Sequence, residues 1–128
     1  MGYNKCMIKH HLKHTNMQMT PAISGYLSKK LSALEKFVDK NVEGIARVEV
    51  GRTTNHHHKG EVFRAEINLA FGAQKFRAVV ECDDLYRAID EMKDEIVGEV
   101  IRASRKKRHL LRRGAQKIKD IMRRWRRE

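Results

Sequence analysis

Apolar residues recur at spacings of three and four between residues 83 and 113: Leu85, Ala88, Ile89, Met92, Ile96, Val100 and Ala103. That is the period of a helix with one buried face, and the spacing predicts a single long helix over this stretch. From Arg105 the stripe gives way to charge. Arg105, Lys106, Lys107, Arg108, Arg112 and Arg113 point in every direction around the same axis, so the first half packs and the second half needs an anionic partner.

Upstream, the pattern alternates between the two periods. Residues 5–12 form a short mixed run that predicts a strand, with Cys6, Ile8 and Leu12 sharing an inner direction. Thr20 and Pro21 then open a helix, since Thr is a good N-cap and Pro at the first helical position has no hydrogen bond to lose. Ile23, Leu27, Leu31, Leu34 and Val38 fall on one arc of it, flanked by Tyr26 and Phe37. Lys29, Lys36 and Lys40 lie nearly opposite, and Lys30 stands at the margin. The helix is expected to stop near residues 41–44.

Three strands follow. Residues 45–52 alternate Ala46, Val48 and Val50 against Arg47 and Glu49, and residues 61–71 set Phe63, Ala65, Ile67, Leu69 and Phe71 against Val62, Arg64, Glu66 and Asn68. Gly72 and Ala73 supply a tight turn, and residues 74–82 return with Phe76, Ala78, Val80 and Cys82 inward, which predicts an antiparallel hairpin. Asp83 or Asp84 caps the long helix. Gly114 is the expected break, followed by a short basic amphipathic helix in which Ile118, Ile121, Met122 and Trp125 repeat at helical spacing.

The expected fold is therefore α+β, a two-layer β-α-β-β-β-α sandwich. A four-stranded sheet carries both helices on one face and leaves the other wet. Residues 1–113 make one domain, and residues 114–128 a tail that is disordered or frayed when free.

Charge changes the picture more than composition does. Residues 1–100 hold 15 Lys and Arg against 14 Asp and Glu, whereas residues 101–128 hold 13 against 2. The body is nearly balanced, and almost all of the formal net charge of +12 sits in residues 101–128. Such asymmetry points to nucleic acid or an anionic membrane surface. Two cysteines, Cys6 and Cys82, suit a reducing cytoplasm and small core positions better than a disulfide framework. No apolar run approaches the roughly 20 residues of a membrane span.

Catalytic and metal chemistry find little support. His10, His11 and His14 form one group and His56, His57 and His58 another, but three successive rings cannot readily turn to one metal, and no Cys-rich or carboxylate–histidine spacing accompanies them. No phosphate loop or nucleophile elbow is present, and Asp90 with Asp94 reads as a solvated helix face. No cofactor or metal is expected. If the two helices pack side by side, Lys29, Lys36 and Lys40 join Arg87, Arg102, Arg105, Lys106, Lys107 and Arg108 in a positive plate that bridges phosphates without reading bases.

Residues 16–37, NMQMTPAISGYLSKKLSALEKF, and 81–96, ECDDLYRAIDEMKDEI, together with the element order, resemble the ribosome hibernation-promoting factors, also called ribosome-associated inhibitor proteins. The run from Asp84 to Asp90 is the most telling piece. The resemblance implies a short form of that family: a cytoplasmic protein, monomeric when free, that binds the small ribosomal subunit where mRNA and tRNAs sit and silences translation by exclusion. It implies that Lys29, Lys30, Lys36, Arg87, Arg102, Arg105, Lys106 and Arg108 face ribosomal RNA, with Tyr86 in the family's aromatic position. Lys40, Lys107, Arg112 and Arg113 extend that candidate set by charge alone. The residue pattern leaves two other classes open: a double-stranded RNA-binding module, and a membrane-surface protein anchored by the basic amphipathic tail.

Overall fold

The computed structural model describes residues 8–38, 42–53 and 60–127. Within them the chain runs β1 (Ile8–Thr15), α1 (Pro21–Glu35), β2 (Gly44–Thr53), β3 (Val62–Phe71), β4 (Gln74–Cys82) and α2 (Leu85–Arg127), the expected order. The sheet is mixed. Its strands lie in sequence order, with β1 parallel to β2 and the other pairs antiparallel. β1, β2 and β4 therefore run the same way, and α1 and α2, each returning from the end of one of these strands, run parallel to each other across one face. The expectations placed on Cys6, Lys40 and residues 56–58 lie outside the described residues.

Alternation decides which face is covered. Ala46, Val48 and Val50 of β2, Ala65, Ile67, Leu69 and Phe71 of β3, and Ala78 and Val80 of β4 are all buried beneath the helices. They meet Ile23, Leu27, Leu31 and Leu34 of α1 and Leu85, Ala88, Ile89, Met92, Ile96 and Val100 of α2 in one core. Gly51 allows β1 and β2 to close up, because a Cβ there would stand 2.4 Å from the Thr15 carbonyl oxygen. Gly72 takes φ +58° in the hairpin turn, as expected of glycine there.

Four boundaries or placements differ from expectation. The first strand runs on to Thr15, past the expected end at residue 12, and Leu12, although paired with Val48, stays 36% exposed on the edge strand. α1 stops at Glu35 rather than near residue 41, because Lys36, Phe37 and Val38 donate to the carbonyls three residues back and tighten the last turn. Phe37 is left 43% exposed, whereas Val38 remains buried. The largest difference is at Gly114, where no break occurs: α2 continues unbroken for 43 residues, about 65 Å. An interior glycine costs only about 1 kcal/mol relative to alanine, and a helix already nucleated on the sheet needs only propagation.

Caps and a buried-edge network hold the helices in place. Thr20 accepts from the Ile23 amide at 3.2 Å, and Asp84 accepts from the Tyr86 amide at 3.0 Å, which selects Asp84 as the cap of α2. Between the helices, Tyr26 donates to Asp90 Oδ1 at 2.5 Å and Lys30 reaches the same oxygen at 2.9 Å. Tyr26 also meets Tyr86 edge to face at 5.0 Å. The Tyr26 hydrogen bond, aided by the Lys30 ammonium, holds the Asp90 carboxyl below its ordinary value of 3.8 despite partial burial. The same hydrogen bond pushes the Tyr26 phenol above 10.0.

Two outcomes follow for stability. Leu31 is 2% exposed, so Leu31→Ala should cost about 2–5 kcal/mol in urea unfolding, and Leu31→Asp should abolish the cooperative transition; a wild-type midpoint for either would remove Leu31 from the core. Asp90→Asn should destabilise the fold at neutral pH. A carboxylate with a depressed folded pKa adds stability above its unfolded value and loses it as pH falls through the folded one. The gap between parent and variant should therefore narrow below pH 3.8, and equal gaps at neutral pH and at about pH 3 would show that the network adds nothing.

Candidate nucleic-acid interface

Packing separates the two ends of α2. Its first turns lie over the sheet beside α1, where residues 85, 88, 89, 92, 96, 97 and 100 are buried. Beyond Ala103 every described side chain is exposed as far as residue 126. The helix leaves the sheet past the hairpin turn, where Gln74 faces Ala103, Lys106, Lys107, Leu110 and Leu111. Because the helices are parallel, the C-terminal end of α1 with Lys36 lies at this same end.

The candidate cations divide accordingly. Arg102, Arg105, Lys106, Lys107, Arg108, Arg112 and Arg113 are all exposed on the emerging part of α2, and among the described residues none forms an ion pair. Lys29 and Lys36 are exposed on α1 and likewise meet no described carboxylate. Lys30 and Arg87 are placed differently. Lys30 is occupied by Asp90 at 2.9 Å, with its pKa raised chiefly by that bond, and its ammonium lies 5.1 Å from the Tyr26 ring centre. Arg87 donates to Glu91 at 3.1 Å while remaining well exposed. Tyr86 packs on Tyr26 with 40% of its surface open.

The expected uniform plate is thus a graded surface. Over the first part of α2 the carboxylates Asp90, Glu91, Asp94, Glu95 and Glu99 outnumber the cations Arg87 and Lys93, and positive charge is uncompensated from Arg102 onward. Spacing alone could show that Asp90 lies four residues before Asp94, but the Tyr26–Asp90 contact spans 64 residues. No local pattern announces it.

The wet sheet face holds further cations that the strand pattern had marked only as outward. Lys9, Arg47, Lys75 and Arg77 are exposed there, and Arg47, Asn68, Lys75 and Arg77 border a shallow depression. Glu66 holds Arg77 through two nitrogens, which offsets part of this charge.

The other chemical candidates separate in space. His10 bonds Glu35 at 3.0 Å and His14 bonds the Met17 carbonyl at 2.7 Å on the helical side, whereas His11 belongs to the opposite face by alternation. Among the described residues no three His, Cys, Asp or Glu side chains converge on a metal-sized site. Cys82 lies 3.4 Å from Glu91, and burial together with that carboxylate pushes its thiol above 9.0, away from the reactive thiolate. Among the described residues no helix is long and apolar enough to cross a membrane.

Known proteins share this arrangement. The crystal structure of the Thermus thermophilus Protein Y N-terminal domain is similar with a TM-score of 0.61 and 32% identity, over 74% of this chain and 96% of that one. A ribosomal subunit interface protein from Coxiella burnetii gives the same TM-score at 13% identity, over 77% and 98%, a likeness of fold. The sequence model described as Sigma 54 modulation protein / S30EA ribosomal protein matches residues 10–108, from the first strand through the cations that open the emerging half of α2. With that span of the sandwich matched, the chain belongs to the Sigma 54 modulation protein / S30EA ribosomal protein family, the ribosome hibernation family its sequence resembles.

Proposed function

We propose that this protein binds the small ribosomal subunit through ribosomal RNA in the channel used by mRNA and tRNA, and silences translation by occupying that space. Members of the family are ribosome-binding factors and not enzymes. The Coxiella burnetii relative is described as a ribosomal subunit interface protein. The observation that carries the reading is the uncompensated charge from Arg102 onward, set on a body whose own charge is nearly balanced.

Arg102, Arg105, Lys106, Lys107, Arg108, Arg112 and Arg113 supply the main phosphate contacts in this proposal, with Lys29 and Lys36 on α1 beside them. Phosphate contacts position a protein without specifying sequence, which suits a factor that recognises a folded surface. Lys30 and Arg87 reach RNA only by leaving or sharing their carboxylates, so they contribute less. Cytoplasmic location follows from the partner. A double-stranded RNA module suits the chain less well, because Asp83 and the cap Asp84 stand at the start of α2 where that module needs cations.

Sedimentation of the protein with purified small subunits tests the proposal. Association should weaken steeply with salt: 6 to 10 phosphate contacts correspond to about a thousandfold to a hundred-thousandfold loss between 50 and 200 mM, taking duplex DNA as the guide. Reversing Arg105, Lys106, Lys107 and Arg108 to Glu should abolish co-sedimentation without changing the urea midpoint. Protein that stays at the top of a low-salt gradient would overturn the proposal, as would equal affinity for a plain RNA duplex.

A further inference from the structure

The half of α2 beyond the body has its own design. Residues 104–126 are exposed throughout, and everything after residue 108 lies outside the family match. At about 100° per residue, Leu111, Ile118, Ile121 and Trp125 continue the line of Ile89, Ile96 and Val100. What is buried in the body is open here: Leu111 is 65%, Ile118 61% and Trp125 76% exposed.

Lys107 falls on that line, and cations occupy the rest of the circumference. Arg105, Arg112 and Arg123 stand opposite the apolar stripe, while Lys117 and Arg124 run along one flank and Lys119 and Arg126 along the other. Among the described residues from 101 onward Asp120 is the one carboxylate, and Gln116 donates to it at 3.1 Å. Arginine outnumbers lysine nine to four over residues 101–128, which favours the forked, bidentate grip that guanidinium makes on phosphate.

Three kinds of occupant suit a basic helix with an apolar stripe, and the placement of charge separates them. A second copy would set Lys117, Lys119, Arg124 and Arg126 against their own counterparts at the edges of the seam, where like charges repel. A lipid surface lies on one side only, so the flanking cations would reach it but Arg105, Arg112 and Arg123 would face water. Folded RNA presents phosphates on several sides at once. A regular A-form groove is too narrow to admit a helix, but a bulge or internal loop supplies unstacked bases that pack on aromatic side chains.

We propose that the projecting half of α2 is a second RNA-binding element, separate from the body, that seats in the groove of a bulged or looped stem with its three lines of cations on phosphates and Trp125 against an unstacked base. The assignment of that stem to ribosomal RNA rests on the function proposed above; the binding chemistry does not.

Trp125 is the chain's one tryptophan, so its emission reports on this element directly. Titrating the full chain with a bulged RNA stem should quench the emission without a blue shift, and the bulged stem should bind at least about tenfold tighter than a fully paired one. Reversing Arg123, Arg124 and Arg126 to Glu in the full chain should weaken that binding at least about tenfold, reduce the salt slope by about three and leave the urea midpoint unchanged. A blue shift with phosphatidylglycerol vesicles and no response to RNA would overturn the inference in favour of lipid. Concentration-dependent dimerisation with no response to RNA would overturn it in favour of a second copy. If the triple reversal binds the bulged stem as tightly as the parent does while the Arg105 to Arg108 reversal no longer sediments with small subunits, the inference falls and the proposed function stands. If the bulged stem binds as described but the intact protein ignores small subunits, the inference stands and the proposed function falls.

Discussion

The burial of one stripe of α2 against the sheet is the constraint on which the rest of the molecule depends. Leu85, Ile89, Met92, Ile96 and Val100 are each less than a tenth exposed, and burying a side chain of this kind stabilises by about 1.5–3 kcal/mol. The stripe fixes the rotation of the helix about its axis as well as its position. Every side chain further along is aimed by that choice, because a continuous helix carries its phase from one end to the other. The packed half also bears the cost of nucleation, so the cationic half has only to propagate.

Charge is distributed by the same packing. Where α1 and α2 meet, Tyr26, Lys30 and Asp90 satisfy one another, and Arg87 pairs with Glu91 one turn along. Five carboxylates outnumber two cations over residues 85–101, so the covered part of α2 is net acidic. Past Arg102 no described element covers the helix beyond the edge at Gln74, and Asp120 is the one described carboxylate, so repulsion among the cations is relieved chiefly by water, salt or an anionic surface. A stable body and a charged, partner-seeking extension thus coexist in one helix, and the end of the core separates them.

Family membership and physical reading agree on the body and part company at its end. The match to residues 10–108 takes in the sandwich and the first cations, which is the portion that the ribosomal proposal uses. The remainder of α2 repeats the basic character but adds an exposed apolar line ending in Trp125. The binding proposed for both portions runs through phosphates, and the second adds Trp125 as a surface for an unstacked base.

Much of this was legible in the residues alone. Alternation at period two placed Ile67, Leu69, Ala78 and Val80 inward, spacing at three and four placed Leu27, Leu31, Ile89 and Ile96 against them, and Thr20 with Pro21 marked a helix start, because each signal depends on neighbours along the chain. The charge asymmetry likewise needs no coordinates. Tertiary structure alone decided the parallel pairing of β1 with β2, the early end of α1, the capture of Lys30 by Asp90 and the passage of α2 through Gly114. These outcomes depend on groups distant in sequence, or on a helix already stabilised elsewhere, and a local pattern holds no record of either.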